Sequence, residues 1–259
     1  MKKTLIAMVN YNDKFDIKTV IGSGKVLWQG RNGFEWIGPA DEEWKDVYII
    51  QYSDFNIQSA IERFKNAPFT ELNLLSVKPL SSIKIKLLQL MMRYFFSILP
   101  IKLISDDRIS VEERLGSVKS PIFPSSKQFS RLFIDNQEKN PVAMLNLLKY
   151  HSTAEYPKEF SGKKEKSGAA AYNQYGKQVM RVVAKLGGYI THMGEVEGSI
   201  IKDNVNSWEE YAIMRYPNRT ALRTMLSLKE QGEGAMKIHR DVGIDKTKVI
   251  ALNPMELKT

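Results

Sequence analysis

Cysteine is absent from this chain of 259 residues, which excludes disulfides, thiol nucleophiles and thiolate metal sites and fits a reducing compartment. Histidine is scarce: His151, His192 and His239 stand far apart, with no His-x-x-x-His pair and no run of acidic ligands, so no metal centre is expected. Phosphate-cradling glycine loops are missing too, since Gly22-Ser23-Gly24-Lys25 lacks the remaining positions of such a loop. No serine sits in a nucleophile elbow. The opening Met1-Lys2-Lys3 followed by Thr4 to Val9 is an apolar run shorter than the roughly 7 to 15 residues of a secretory signal, so a cytoplasmic location is expected. A net charge of +9 invites a nucleic-acid reading. The excess is spread over the middle and the second half of the chain, however, and its densest cluster, Lys163, Lys164 and Lys166, has no interleaved aromatics, so no nucleic-acid partner is expected.

What the chain has is the composition of a globular protein, 43% hydrophobic and 26% charged, and an internal repeat. At an offset of 164 residues Gly24 falls on Gly188, Gly30 on Gly194, Trp44 on Trp208, Ile49 on Ile213 and Tyr52 on Tyr216, with Asp46 over Glu210. A second match, at offset 136, sets Ala7-Met8-Val9-Asn10 over Ala143-Met144-Leu145-Asn146. Pro79 falls on Pro254 at offset 175, so the second copy carries about eleven extra residues, His239 and Arg240 among them, before its last strand (175 − 164 = 11).

Each copy reads as strand, helix, strand, strand, helix, strand, the split βαβ or ferredoxin-like unit. In the first the strands are Thr4 to Tyr11, Lys25 to Gly30 continuing through Phe34 to Ile37, Val47 to Tyr52, and Leu72 to Val77; Asn56 to Phe64 has helical spacing. In the second, Ser167 caps a long helix with apolar residues at three- and four-residue steps, ended by Gly187-Gly188. One such unit leaves an apolar sheet face in water, at roughly 25 cal/mol per Å². The fold class expected is therefore α+β, with two βαββαβ repeats packed sheet to sheet inside one chain. The expected division is a first repeat at 1–80, a helical insertion and connector at 81–140, and a second repeat with the ligand pocket at 141–259.

The insertion is conspicuously apolar from Ile83 to Ile104, with only a narrow polar stripe. Its polar interruptions and length near 18 residues argue against a membrane span. Three roles stay open: a lid packed on the protein's own surface, a homo-oligomer contact, or a helix lying in a membrane surface through Leu87, Met91, Tyr94, Phe95 and Phe96.

Met144 to Lys149, Tyr172 with Tyr175-Gly176, Gly187-Gly188, Trp208-Glu209, Arg215-Tyr216-Pro217 and His239-Arg240 together resemble an uncharacterised domain-of-unknown-function family of the dimeric α/β-barrel superfamily. The likeness covers residues 141 to 254 well and the first copy in outline. It implies a fused pseudo-dimer, and relatives that include cofactor-free oxygenases, isomerases and haem-degrading enzymes; haem is thus an alternative to the cofactor-free reading. From the residues themselves, His239 and Arg240 are candidates for proton shuttling and for holding a carboxylate or enolate. Asn146, Tyr175, His192, Arg215 and Tyr216 are candidate ligand contacts, with structural alternatives beside them: His192 a satisfied core histidine, Tyr175 a core tyrosine, Asn146 pairing backbone, only one of Arg215 and Tyr216 able to point into the barrel, and, for the catalytic pair, an Arg240–Asp241 ion pair closing a turn. A small-molecule ligand is expected, handled by an isomerase, cyclase or oxygenase type of enzyme, with a non-catalytic scaffold attached to a membrane or partner as the alternative.

Overall fold

The computed structural model describes residues 2–12, 15–38, 42–96, 98, 124–133, 137–158, 167–204, 207–227 and 235–256. The lysine cluster at 163–166, the connector at 106–123 and the insertion beyond residue 98 lie outside them. The first repeat is β1 (Lys2–Tyr11), α1 (Ile17–Ile21), β2 (Lys25–Ile37), β3 (Glu43–Ser53), α2 (Ile57–Asn66) and β4 (Phe69–Pro79). After α3 (Ser82–Leu90), a π-helical stretch Met91–Phe96 and α4 (Ser126–Leu132) come β5 (Val142–Tyr150), α5 (Gly168–Lys185), β6 (Tyr189–Ile201), β7 (Glu210–Tyr216), α6 (Arg219–Leu226), α7 (Ala235–Gly243) and β8 (Ile244–Pro254). The fold is the expected α+β one, two βαββαβ repeats forming the dimeric α/β barrel within one chain.

All eight strands close into one antiparallel barrel in the order β1-β3-β2-β8-β5-β7-β6-β4. The two four-stranded sheets thus face each other and are also hydrogen-bonded at both edges, β2 to β8 and β4 to β6. Closure removes the unpaired strand edges that each repeat alone would expose. The two seams are equivalent: Gly30 opposes Pro254 in one and Gly194 opposes Pro79 in the other. Glycine is required there by close approach. A Cβ on Gly194 would lie 2.2 Å from the Lys78 carbonyl oxygen, and one on Gly30 would lie 2.6 Å from the Trp28 ring.

The offset of 164 holds through β2/β3 and β6/β7, down to the irregularity between Val26 and Trp28 that recurs between Ile190 and His192. The offset of 136 for the first strands does not. Val9 pairs with Asp46 and Leu148 with Glu210, so the first strands correspond at 148 − 9 = 139. An odd displacement of three residues reverses the face of every side chain on a strand. Met8 accordingly points into the barrel and Met144 outward, and Asn10 is not the counterpart of Asn146. At the corrected offset Tyr11 corresponds to Tyr150.

Alternation then sorts the side chains. Inward go Ile6, Met8, Ile49, Leu75, Leu145, Ile213 and Ile250, with Trp28, Trp44 and Trp208 near the ends, into an apolar filling. At the end where β2 and β6 finish, Lys202 and Lys246 lie over the Trp44 and Trp208 rings at 4.7 and 4.5 Å, and Glu42 joins Lys202 to the buried Lys248. Outward residues of the first repeat, among them Leu5, Val9, Tyr48 and Leu74, are covered by Val20 and Ile21 of α1 and Ala60 and Phe64 of α2. The outward face of the second repeat is covered by α5, whose Tyr175, Val179, Val182 and Val183 face it at helical spacing.

The insertion is apolar on two sides and uses them differently. Ile85 and Met92 are buried, and Leu88 and Phe96 packed, against the core that contains α5, while Gln89 Nε2 donates to the Ile190 carbonyl at 2.9 Å. The opposite side, with Leu87, Met91, Tyr94 and Phe95, is exposed. No described helix is long and apolar enough to cross a membrane.

Candidate functional site

A cavity of about 420 Å³ lies outside the barrel, between the outward face of the second repeat and its helices. Its floor is Met144, Asn146 and Leu148 of β5 with Glu210, Ala212, Met214 and Tyr216 of β7, every second residue of each strand. Tyr172, Tyr175, Gly176, Val179, Met180 and Val183 of α5 form its roof; Trp36 of β2 and Arg240 of α7 reach it from the sides. At the equivalent place in the first repeat Tyr48, buried at 3% exposure, occupies the position that Ala212 leaves small. Gly176 adds to the room. A glycine inside a helix costs roughly 0.5–1 kcal/mol relative to alanine, yet a Cβ there would meet nothing within 4 Å.

The walls are mostly apolar, with five methionines, and the charged Glu210 and Arg240 are among the lining residues. Glu210 is half-buried there and accepts a hydrogen bond from Tyr150 Oη at 2.8 Å. Burial raises the Glu210 carboxyl above the ordinary carboxylate range; the Tyr150 bond opposes this and the Glu195 charge reinforces it. Burial, and then the charge of Glu210, push the Tyr150 phenol far up. The Tyr172 ring lies tilted against two others, its centroid 5.5 Å from that of Tyr150 and 5.3 Å from that of Tyr175. Its phenol is pushed up by burial and by Tyr175, while the Arg240 guanidinium pulls it down, which places positive charge within electrostatic reach of the ring. The Arg240 side chain is only 12% exposed and its Nε lies 3.8 Å from Asp241 Oδ1. Asp241 is itself engaged by Lys237.

Of the residues singled out in the sequence, Asn146, Tyr175, Tyr216 and Arg240 line this cavity; His239, His192 and Arg215 do not. His239 and Arg240 lie on α7, where neighbours in sequence diverge by about 100°. Arg240 meets the cavity, while His239 is buried with Nδ1 2.8 Å from Tyr156 Oη. Arg215 alternates with the cavity-lining Met214 and Tyr216 and so takes the other face of β7. His192 pairs with Ile213, an inward residue, and its Nδ1 is buried without a hydrogen-bond partner among the described residues. Burial lowers its pKa to about 4, leaving the ring neutral. Asn146 Nδ2 donates to the Met144 carbonyl at 2.9 Å and the Ala212 carbonyl at 3.2 Å, so it braces the sheet as well as lining the floor. Tyr216 Oη lies 3.4 Å from Met225 Sδ.

Glu210, Tyr150 and Ala212 were not singled out. Tyr11 falls on Tyr150 only at the offset of 139 that strand pairing gives, and with Asp46 over Glu210 it then gives both repeats a tyrosine–carboxylate pair. In the first repeat Tyr11 Oη donates to the buried Asp46, which also accepts from Gln29 Nε2 at 2.9 Å and Arg31 Nε at 3.1 Å.

Haem is a poor fit. Cysteine is absent, none of the three histidines lines the cavity, and burial disfavours the phenolate that iron would require of Tyr172 or Tyr216. No group of His, Asp or Glu among the described residues is arranged to hold a metal ion.

No protein-family model matches the chain, and no curated protein matches it. Among solved structures it is similar to a protein of unknown function from Rhodopseudomonas palustris, with 26% identity and a TM-score of 0.43 over 52% of this chain and 96% of that one. It is also similar to an anthrone oxidase-like protein, at 8% identity and a TM-score of 0.46, covering 98% of this chain and 91% of the other. A chlorite dismutase variant from Candidatus Nitrospira defluvii is 9% identical with a TM-score of 0.43, over 98% and 92% of the two chains. At TM-scores below 0.5 these likenesses carry no reading of function.

Proposed function

We propose that the cavity is the active site of an acid–base enzyme acting on a weakly acidic small molecule, an enolisable ketone or a phenol. The observation that carries this reading is a carboxyl raised above its ordinary range by burial, in a mostly apolar cavity whose lining also includes the Arg240 guanidinium. Folding alone would favour an apolar side chain at that position, because burying a carboxylate costs free energy that the Tyr150 bond only partly offsets. A raised pKa makes the ionised form a stronger base near neutral pH. Glu210 takes the role of base that the sequence had suggested for His239, whose Nδ1 is committed to Tyr156.

In this reading the ionised Glu210 removes a proton from carbon or oxygen of the substrate, and Arg240 stabilises the resulting enolate or phenolate. Tyr150 holds the carboxylate in place, and Tyr172 and the methionines hold the flat apolar remainder. The protonated Glu210 then returns the proton to a different carbon, which completes an isomerisation without a co-reactant. In an oxygenase variant of the scheme dioxygen, as co-substrate and oxidant, forms a C–O bond with the same anion, and Glu210 returns its proton to the distal oxygen to give a hydroperoxide.

Proton abstraction is testable before the full reaction is known. A panel of enolisable ketones and phenols incubated with the protein in D₂O should include a compound whose acidic C–H exchanges for deuterium by NMR. Glu210→Gln should slow that exchange by at least about 10²-fold, and Arg240→Ala should weaken binding of the same compound. Exchange at the wild-type rate in Glu210→Gln would remove the carboxylate from the mechanism.

A further inference from the structure

The outward side of α3 and of the π-helical stretch after it plays no part in the cavity. Ile83, Leu87, Leu90, Tyr94 and Ile98 follow one another at steps of three and four residues and are 55% to 78% exposed. They form one continuous apolar line on the surface, while the opposite line, Ile85, Leu88, Met92 and Phe96, is packed on the protein. The helix is therefore already anchored, and its second apolar side serves something else. Lys84, Lys86 and Arg93 are exposed along the flanks. No acidic residue occurs between Glu71 and Asp106.

We propose that this face docks on an anionic phospholipid surface. Aliphatic side chains with a tyrosine and a phenylalanine, flanked by lysines on a segment that carries no carboxylate of its own, match the acyl–headgroup boundary of an anionic bilayer, where ring and aliphatic groups enter and cations meet lipid phosphates. A second copy of the chain is a worse occupant. A two-fold contact across this line would bring Lys84 and Lys86 near their own copies, and the segment has no acid of its own to offset them. The docked helix shares its inner apolar cluster with Val179 and Met144 at the cavity, so lipid contact lies on the same half of the molecule as the proposed active site.

The test is flotation of the purified full chain with vesicles of phosphatidylcholine containing about 30% phosphatidylglycerol, and with phosphatidylcholine alone, alongside light scattering. Wild type should float with the anionic vesicles and bind the neutral ones roughly tenfold less. Leu87→Glu with Tyr94→Glu should stay with the soluble fraction. Lys84→Gln with Lys86→Gln, which leaves the apolar line intact, should lose the preference for anionic lipid. Wild type that ignores anionic vesicles overturns the proposal, and so does a glutamate variant that floats like wild type. A wild-type dimer that the glutamate variant dissolves would equally overturn it, because a second copy would then cover the face. Should the glutamate variant melt early, the lysine variant decides: unchanged lipid preference there rejects the docking.

Discussion

Replacing Glu210 with glutamine separates a carboxylate kept for chemistry from one kept for folding. Burial holds this carboxyl above its ordinary value of 4.5. Between 4.5 and the folded-state pKa the unfolded chain has already lost the proton that the folded chain still binds. Fewer protons on the unfolded state means that stability falls as pH rises through that window. Above it the ionised group costs about 1.4 kcal/mol for each unit of elevation. Glutamine imitates the protonated acid, keeps an acceptor for Tyr150 Oη, and cannot ionise. Glu210→Gln should therefore match wild type near pH 4 and exceed it at pH 8, with each kcal/mol appearing as about 2–4 °C in melting temperature for a chain of this size. Thermal melts from about pH 4 to pH 8, run beside the deuterium-exchange assay, give both halves of the answer. Loss of exchange with a gain in stability at pH 8 is the expected pair. A variant about 1 kcal/mol less stable than wild type at pH 8 would refute the reasoning, because the carboxylate would then be supporting the fold.

Three further outcomes are expected. Ala212→Tyr copies Tyr48 from the first repeat and should fill the cavity, weakening ligand binding by roughly 10²-fold while costing no more than about 1–3 kcal/mol of stability by urea titration; undiminished binding would place the ligand elsewhere. Gly194→Ala puts a Cβ 2.2 Å from the Lys78 carbonyl at one barrel seam and should destabilise by about 3 kcal/mol or more, seen as an early urea midpoint, whereas Gly176→Ala should be neutral or stabilising. His192, neutral in the fold with a pKa of about 4 against 6.5, binds its proton first in the unfolded chain, so stability should fall as pH drops from 6.5 toward 4 at up to about 1.4 kcal/mol per unit. His192→Phe should flatten that slope in melts followed by circular dichroism.

Local patterns made the barrel legible. Gly30 and Gly194, Trp44 and Trp208, Ile49 and Ile213, and Tyr52 and Tyr216 recur at one spacing because both halves meet the same demands: close approach at a seam, a ring near the barrel end, buried side chains on β3 and β7. The first strands misled for a physical reason as well. Ala-Met-Val-Asn and Ala-Met-Leu-Asn look alike as words, but a strand is defined by which face each side chain takes, and pairing with β3 and β7 shows those words lying three residues out of step.

From the sequence alone came the repeat, the α+β class, the exclusion of thiol chemistry and the apolar insertion, since these depend on spacing and residue type. The tertiary structure decided what neighbouring positions do once folded. It turned His239 onto Tyr156 and Arg240 into the cavity, made Glu210 and Tyr150 partners across 60 residues of chain, and opened a space where Ala212 replaces Tyr48. Helix rotation, strand alternation and the volume of one side chain set those arrangements, and each acts between segments distant in sequence.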